Sequence, residues 1–148
     1  MSHTRALRLT TVAAATLLTA LTATGCSYVA KYTADAYSIT YRVTVVGDDI
    51  DTISAVEYGE SPNRGEETAA VDAGGLVTKN DSADARTASW QTEALVTATE
   101  EAWVTATPGA GAVATCSILI DGEREIDTAT AGMGETVECR ATTPAFGD

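Results

Sequence analysis

Histidine is almost missing from this chain of 148 residues: His3 is the only one. Acid–base catalysis usually draws on histidine or on a carboxylate pair of shifted pKa, and nucleophilic triads need such a base. Basic residues are also few, with 9 Lys and Arg against 21 Asp and Glu and a formal charge of -12. That balance argues against binding to nucleic acid, which needs a basic patch, and against a polybasic membrane-contact surface. Phe occurs once and Trp twice, so a core has to be built from Val, Ile, Ala and Tyr. No stretch keeps a helical period, and no Gly-rich loop follows a strand and opens a helix, which removes the usual phosphate cradles. Cysteine occurs three times, at Cys26, Cys116 and Cys139. None has His or Cys neighbours that would complete a tetrahedral metal site. In "GDDID", Asp48, Asp49 and Asp51 offer oxygens to calcium, but the spaced ligands and distal Glu of a dedicated loop are missing, and a solvated turn is the expected state. The sequence therefore predicts no enzyme, no cofactor and no metal.

What is present begins at the N-terminus. "MSHTRALRLTTVAAATLLTALTATGC" reads as a positive segment with Arg5 and Arg8, an apolar segment from Leu9 to Ala23, and small residues ending at Gly25-Cys26. The apolar run is short and Thr-rich for a membrane span, and matches a secretory signal better. Ala23-Thr24-Gly25-Cys26 resembles the bacterial lipobox, at which Cys receives a diacylglycerol and the chain is cut just before it. The expectation is a lipoprotein signal peptide over 1–25, acylated Cys26, and a tether over 26–36. Two other readings share these residues: ordinary cleavage after Gly25, leaving a free thiol, and an uncleaved anchor. Processing at Cys26 would remove His3, Arg5 and Arg8; 7 basic residues would remain against 21 acids, about -14 in all. With two or more acyl chains, at about 0.8 kcal/mol per buried methylene, the protein would stay on the membrane.

The body, 37–148, reads as strands. In "YSITYRVTVV", Tyr37, Ile39, Tyr41, Val43 and Val45 share one face, and Ser38, Thr40, Arg42 and Thr44 the other. "DTISAVEYG" is a second strand and "ESPNRGEE" a loop. Weak strand pieces near Ala69–Asp72 and Leu76–Thr78 flank Gly74-Gly75. "WQTEALVTAT", "AWVTATP", "GAVATCSILI", "EREIDTAT" and "ETVECRAT" complete the set. About seven short strands with turn residues between them predict an all-β sandwich. Trp90 and Trp103 are expected in its core.

Register sharpens the C-terminal part, because a slip of one residue turns every side chain over. If Ala114, Cys116, Ile118 and Ile120 face the core, a two-residue loop at Asp121-Gly122 aims Glu123 and Glu125 inward. A three-residue loop, built as a type I turn with a bulge glycine, brings Ile126 inward instead. In the last strand Val137, Cys139 and Ala141 share a face, so Cys139 can meet Cys116 in the core. An exported pair is expected to be oxidised, tying the C-terminal hairpin region together; two reduced core cysteines are the alternative.

"YSITYRVTVVG", "ISAVEYG", "SWQTEALVTA" and "TCSILIDGEREIDTAT…VEC" together resemble the mycobacterial membrane protein small (MmpS) family, over most of Tyr37 to Cys139. The resemblance implies an immunoglobulin-like β-sandwich outside the cytoplasmic membrane, with a Cys116–Cys139 bridge. It also implies an accessory role for RND-type (MmpL-like) lipid or siderophore exporters, in an actinobacterial setting. Typical members carry an N-terminal transmembrane helix where this chain has the lipobox-like segment, and 61–89 does not follow the family pattern. The competing expectation is a lipid-anchored module that binds a ligand or the cell wall without a transporter. Replacing Cys26 with Ser is expected to release the protein or to leave it unprocessed. Membrane fractionation and intact-mass measurement read this directly, and unchanged mass with full membrane retention would contradict acylation.

Overall fold

The computed structural model describes residues 33–80 and 86–146. The expected signal peptide, Cys26 and most of the tether lie outside the described residues. The chain forms nine strands: β1 (Ala36–Gly47), β2 (Thr52–Glu60), β3 (Ala69–Val77), β4 (Lys79–Asn80), β5 (Thr87–Thr97), β6 (Glu101–Pro108), β7 (Ala112–Ile120), β8 (Arg124–Thr130) and β9 (Val137–Thr142). They make two antiparallel sheets, one of five strands in the order β4-β5-β1-β7-β8 and one of four in the order β3-β2-β6-β9. The two-layer sandwich is the expected fold class, immunoglobulin-like in architecture. The two strands beyond the expected seven are β3, in which the two weak pieces join across Gly74-Gly75, and the two-residue β4. Gly74 has φ +70°, a left-handed conformation that glycine adopts freely, and the β2–β3 register shifts beside it.

Alternation decides which side of each strand is buried. On β1, Ile39, Tyr41, Val43 and Val45 are buried between the sheets, as the pattern predicts. Ala88, Ala94 and Val96 of β5 and Ala114, Cys116, Ile118 and Ile120 of β7 extend that face; Ile53, Val56, Ala102, Val104, Ala106, Val137 and Cys139 oppose it from the second sheet. Each fully buried Val or Ile contributes roughly 1.5–3 kcal/mol relative to exposure. The outer face of the first sheet is lined with hydroxyls. Ser89, Thr44, Thr115 and Thr130 stand in one row across β5, β1, β7 and β8, and the Thr115 and Thr130 hydroxyls bond at 2.8 Å. Small β-branched residues suit a solvated pleat of this kind.

The β7–β8 hairpin keeps the three-residue spacing, since Ile120 opposes Arg124. Its turn is different from the expected one. Asp121 and Gly122 both have positive φ, 53° and 72°, and the Glu123 N–H donates to Ile120 O at 3.1 Å. This is the type I′ pattern, whose twist matches the flanking strands, rather than a type I turn with a bulge glycine. A further register shift follows, with Leu119 opposite Glu125 and Ile118 opposite Asp127. The bulge therefore sits at Ile126, which still packs against the core, while Glu123 and Glu125 stay exposed.

Cys116 and Cys139 are joined, with Cα atoms 5.9 Å apart, within the usual range. Cys116 lies on β7 of the first sheet and Cys139 on β9 of the second, so the bond clasps the two layers together instead of tying one hairpin. Beside it, Asp127 Oδ2 of β8 accepts the Arg140 N–H of β9 at 2.7 Å. At the other end Thr143 is buried, and its hydroxyl donates to Thr97 O and Glu100 O. Closing a loop of 23 residues' separation is worth about 3 kcal/mol by the chain-entropy account. Replacing both cysteines with Ala should therefore lower the unfolding free energy by about that amount, read as a lower urea midpoint. An unshifted midpoint would mean that the clasp contributes nothing.

A candidate interaction surface on the second sheet

The most organised group of polar and aromatic side chains begins under the sheet. Tyr41, fully buried on β1, crosses the core to the second sheet. There its hydroxyl donates to Gly59 O at 2.7 Å, and the Trp103 backbone N–H lies near the same phenol. The β2–β6 ladder runs as far as Tyr58 opposite Val104. At the next step the phenol bridges the two strands. Burial pushes the Tyr41 phenol far above its ordinary value of 10.0, with smaller upward contributions from Glu60 and Tyr58. It therefore stays a protonated donor throughout the neutral range. Tyr58 stacks obliquely between Tyr41 and Trp90, with centroids at 5.5 and 6.2 Å, so Trp90 lies half-buried at the edge of the core.

Gly59 links this buried strut to the outside. A Cβ there would come within 2.5 Å of Thr68 Cγ2 and 2.7 Å of Trp103 Nε1. The missing side chain lets the indole lie across β2 on the outer face, so Trp103 is half-buried on that face and does not enter the core as expected. The Thr68 hydroxyl beside it is buried without a hydrogen-bond partner. Arg140 stands over the indole, its guanidinium carbon 5.6 Å from the ring centroid. It is paired with Glu138 at 2.6 Å and with Glu101. The hydrogen bonds that its guanidinium donates to Glu138 and Glu101 raise its pKa further. The pairs are exposed and each is worth little in stability; their effect is to hold a planar cation against the ring.

The rest of the face is acidic. Asp72 of β3 is directly opposite Glu57 of β2, Glu57 opposite Thr105 of β6, and Thr105 opposite Glu138 of β9. Among the described residues no cation pairs with Asp72 or Glu57.

Of the residues singled out in the sequence, Cys116 and Cys139 are brought together and Cys26 lies outside the described residues. Asp48 pairs with Arg86 at 2.9 Å, and Asp49 packs against Gly109. Among the described residues no three His, Cys, Asp or Glu side chains gather to hold a metal, and no helix is long and apolar enough to cross a membrane. The Tyr41–Gly59 strut and the Trp103–Arg140 contact were missed. The available signal was Gly59 itself, since a glycine inside a strand marks a close approach. No family model matches the chain, and no curated protein matches it.

Tyr41→Phe leaves the buried Gly59 carbonyl without its partner, for a cost of about 1–3 kcal/mol in thermal or urea unfolding. The raised phenol also fixes a pH trend. Its contribution is full below the unfolded value near 10 and is lost as pH rises beyond it, because the unfolded chain gives up the proton first. The wild type should lose stability above that pH more steeply than the Phe variant; parallel curves would contradict the assignment. Gly59→Ala must displace the Trp103 indole and should shift the tryptophan emission.

Proposed function

We propose that this chain is a non-enzymatic accessory protein of an RND-type, MmpL-like exporter of lipids or siderophores. In this reading it is anchored through acylated Cys26 on the extracytoplasmic face of the cell membrane. The carrying observation is where the resemblance to the MmpS family falls. Its segments contain Tyr41, Gly59, Cys116 and Cys139, which make the two ties between the sheets. A likeness that coincides with the residues spanning the core supports a likeness of fold, and the family's function is proposed on that basis. The disulfide supports the same compartment, because such bonds persist outside the reducing cytosol. The acidic exposed face, with neither histidine nor a basic patch, fits a role in protein contacts.

The half-exposed Trp103 under Arg140 favours a second reading, a lipid-anchored module that binds a ligand or the cell wall on its own. Gentle affinity purification from detergent-solubilised native membranes, with mass spectrometry of what is retained, separates the two. A large transporter recovered in near-equal amount is the expected result. Recovery of the acylated chain alone would overturn the transporter reading in favour of the binding module.

A further inference from the structure

A sandwich of two open sheets has four edge strands, each presenting unpaired backbone groups that invite another strand. Here three of them make contacts with other segments among the described residues. On the disulfide side β8 and β9 meet, with Cys116–Cys139 beside them and the Arg140 N–H of β9 taken by Asp127. On the other side of the first sheet β4 pairs with the start of β5. Further along β5, Ser61 covers the edge: its N–H donates to Leu95 O at 2.7 Å, and its hydroxyl accepts the Thr97 N–H at 3.1 Å. The fourth edge, β3, has no strand beyond it among the described residues. From Ala69 to Asp72 it is regular, pairing with Glu60, Gly59, Tyr58 and Glu57 of β2. Its side chains there are small, and Ala69, Ala70 and Asp72 are exposed. The irregularity at Gly74 begins only after this stretch.

The chemistry of the face selects the occupant. Directly opposed like charges on neighbouring strands are unfavourable, and Asp72 and Glu57 face each other in this way. Asp72 Oδ1 accepts the Gly74 N–H at 2.7 Å, which leaves the charge itself unpaired. A strand added outside β3 would place a side chain next to Asp72, at the end of the Asp72–Glu57–Thr105–Glu138 row. A basic side chain there would neutralise the row. A second copy of this chain, with a formal charge of -12, would bring more acid to the same place.

We infer that the β3 edge, over Ala69–Asp72, is a strand-addition site for an extended segment of a partner protein bearing Lys or Arg at alternate positions. Backbone bonds to β3 supply the pairing and the Asp72–Glu57 pair supplies the selection. The inference is independent of the transporter reading, since the geometry is the same for any partner with such a segment.

The test uses the purified full-length chain in nonionic detergent and three ten-residue peptides. One alternates Lys with Val and Thr, the second has Glu for each Lys, and the third is the Lys peptide with alternate backbone amides N-methylated. The Lys peptide should slow hydrogen exchange across Ala69–Asp72 by at least about tenfold. The Glu peptide should bind at least about tenfold more weakly, and the N-methylated peptide should give no protection. Asp72→Lys should reverse the preference between the first two, and Glu57→Gln should weaken it. Failure of the Lys peptide to bind would overturn the inference. So would equal protection by the N-methylated peptide, protection confined to other strands, or protection of β3 by self-association without peptide.

Discussion

The Tyr41 hydroxyl bond to Gly59 sets how the two layers meet. The chain has a single Phe, so its core is a thin filling of Val, Ile and Ala. Such a core attracts strongly but specifies position weakly, because β-branched side chains on flat pleats pack in several offsets. Tyr41 is the largest fully buried side chain and its polar end must be bonded. On the second sheet the Gly59 carbonyl satisfies it. The disulfide fixes the far side in the same way, joining β7 to β9. One buried hydroxyl and one covalent bond thus define the relative placement of two otherwise interchangeable faces.

The outer surface depends on that strut. With β2 and β6 spread around the phenol, Gly59 gives the Trp103 indole room to lie flat, and Arg140 closes over it with its two acids. Packing below and recognition above are therefore coupled through a single glycine. The two sheets differ in chemistry as well. The first turns a neutral row of hydroxyls outward, whereas the second turns out a row of acids with one anchored cation. A protein whose work is contact would use the second face, where charge and an open strand edge lie together.

Much of this fold was legible in the sequence, where period-2 alternation is strong. The alternation of β1 placed Ile39, Tyr41, Val43 and Val45 correctly, and the parity argument placed Ile126 on the core side and Cys116 near Cys139. What failed did so for identifiable reasons. Trp103 belongs to "AWVTAT", where Ala, Val and Ala fill the inward positions, and hydrophobicity alone put the indole on the wrong side. The joining of Ala69–Val77 into one strand depends on Gly74 adopting a positive φ, which a composition of Ala and Gly does not announce. The role of the disulfide as a clasp between layers required the strand order, which no local pattern contains. The same holds for the candidate surface, since Asp72, Glu57, Thr105 and Glu138 are scattered in the chain and aligned only by pairing.

The sandwich is clasped by one disulfide, and the proposed function adds export and an acylated Cys26. Non-reducing peptide mapping of the chain isolated from its native membrane tests all of it at once. A linked Cys116–Cys139 peptide and an N-terminal peptide beginning at a diacylglyceryl-modified Cys26 are the expected result. Free thiols at Cys116 and Cys139, or an unmodified Cys26 within an intact N-terminus, would contradict it.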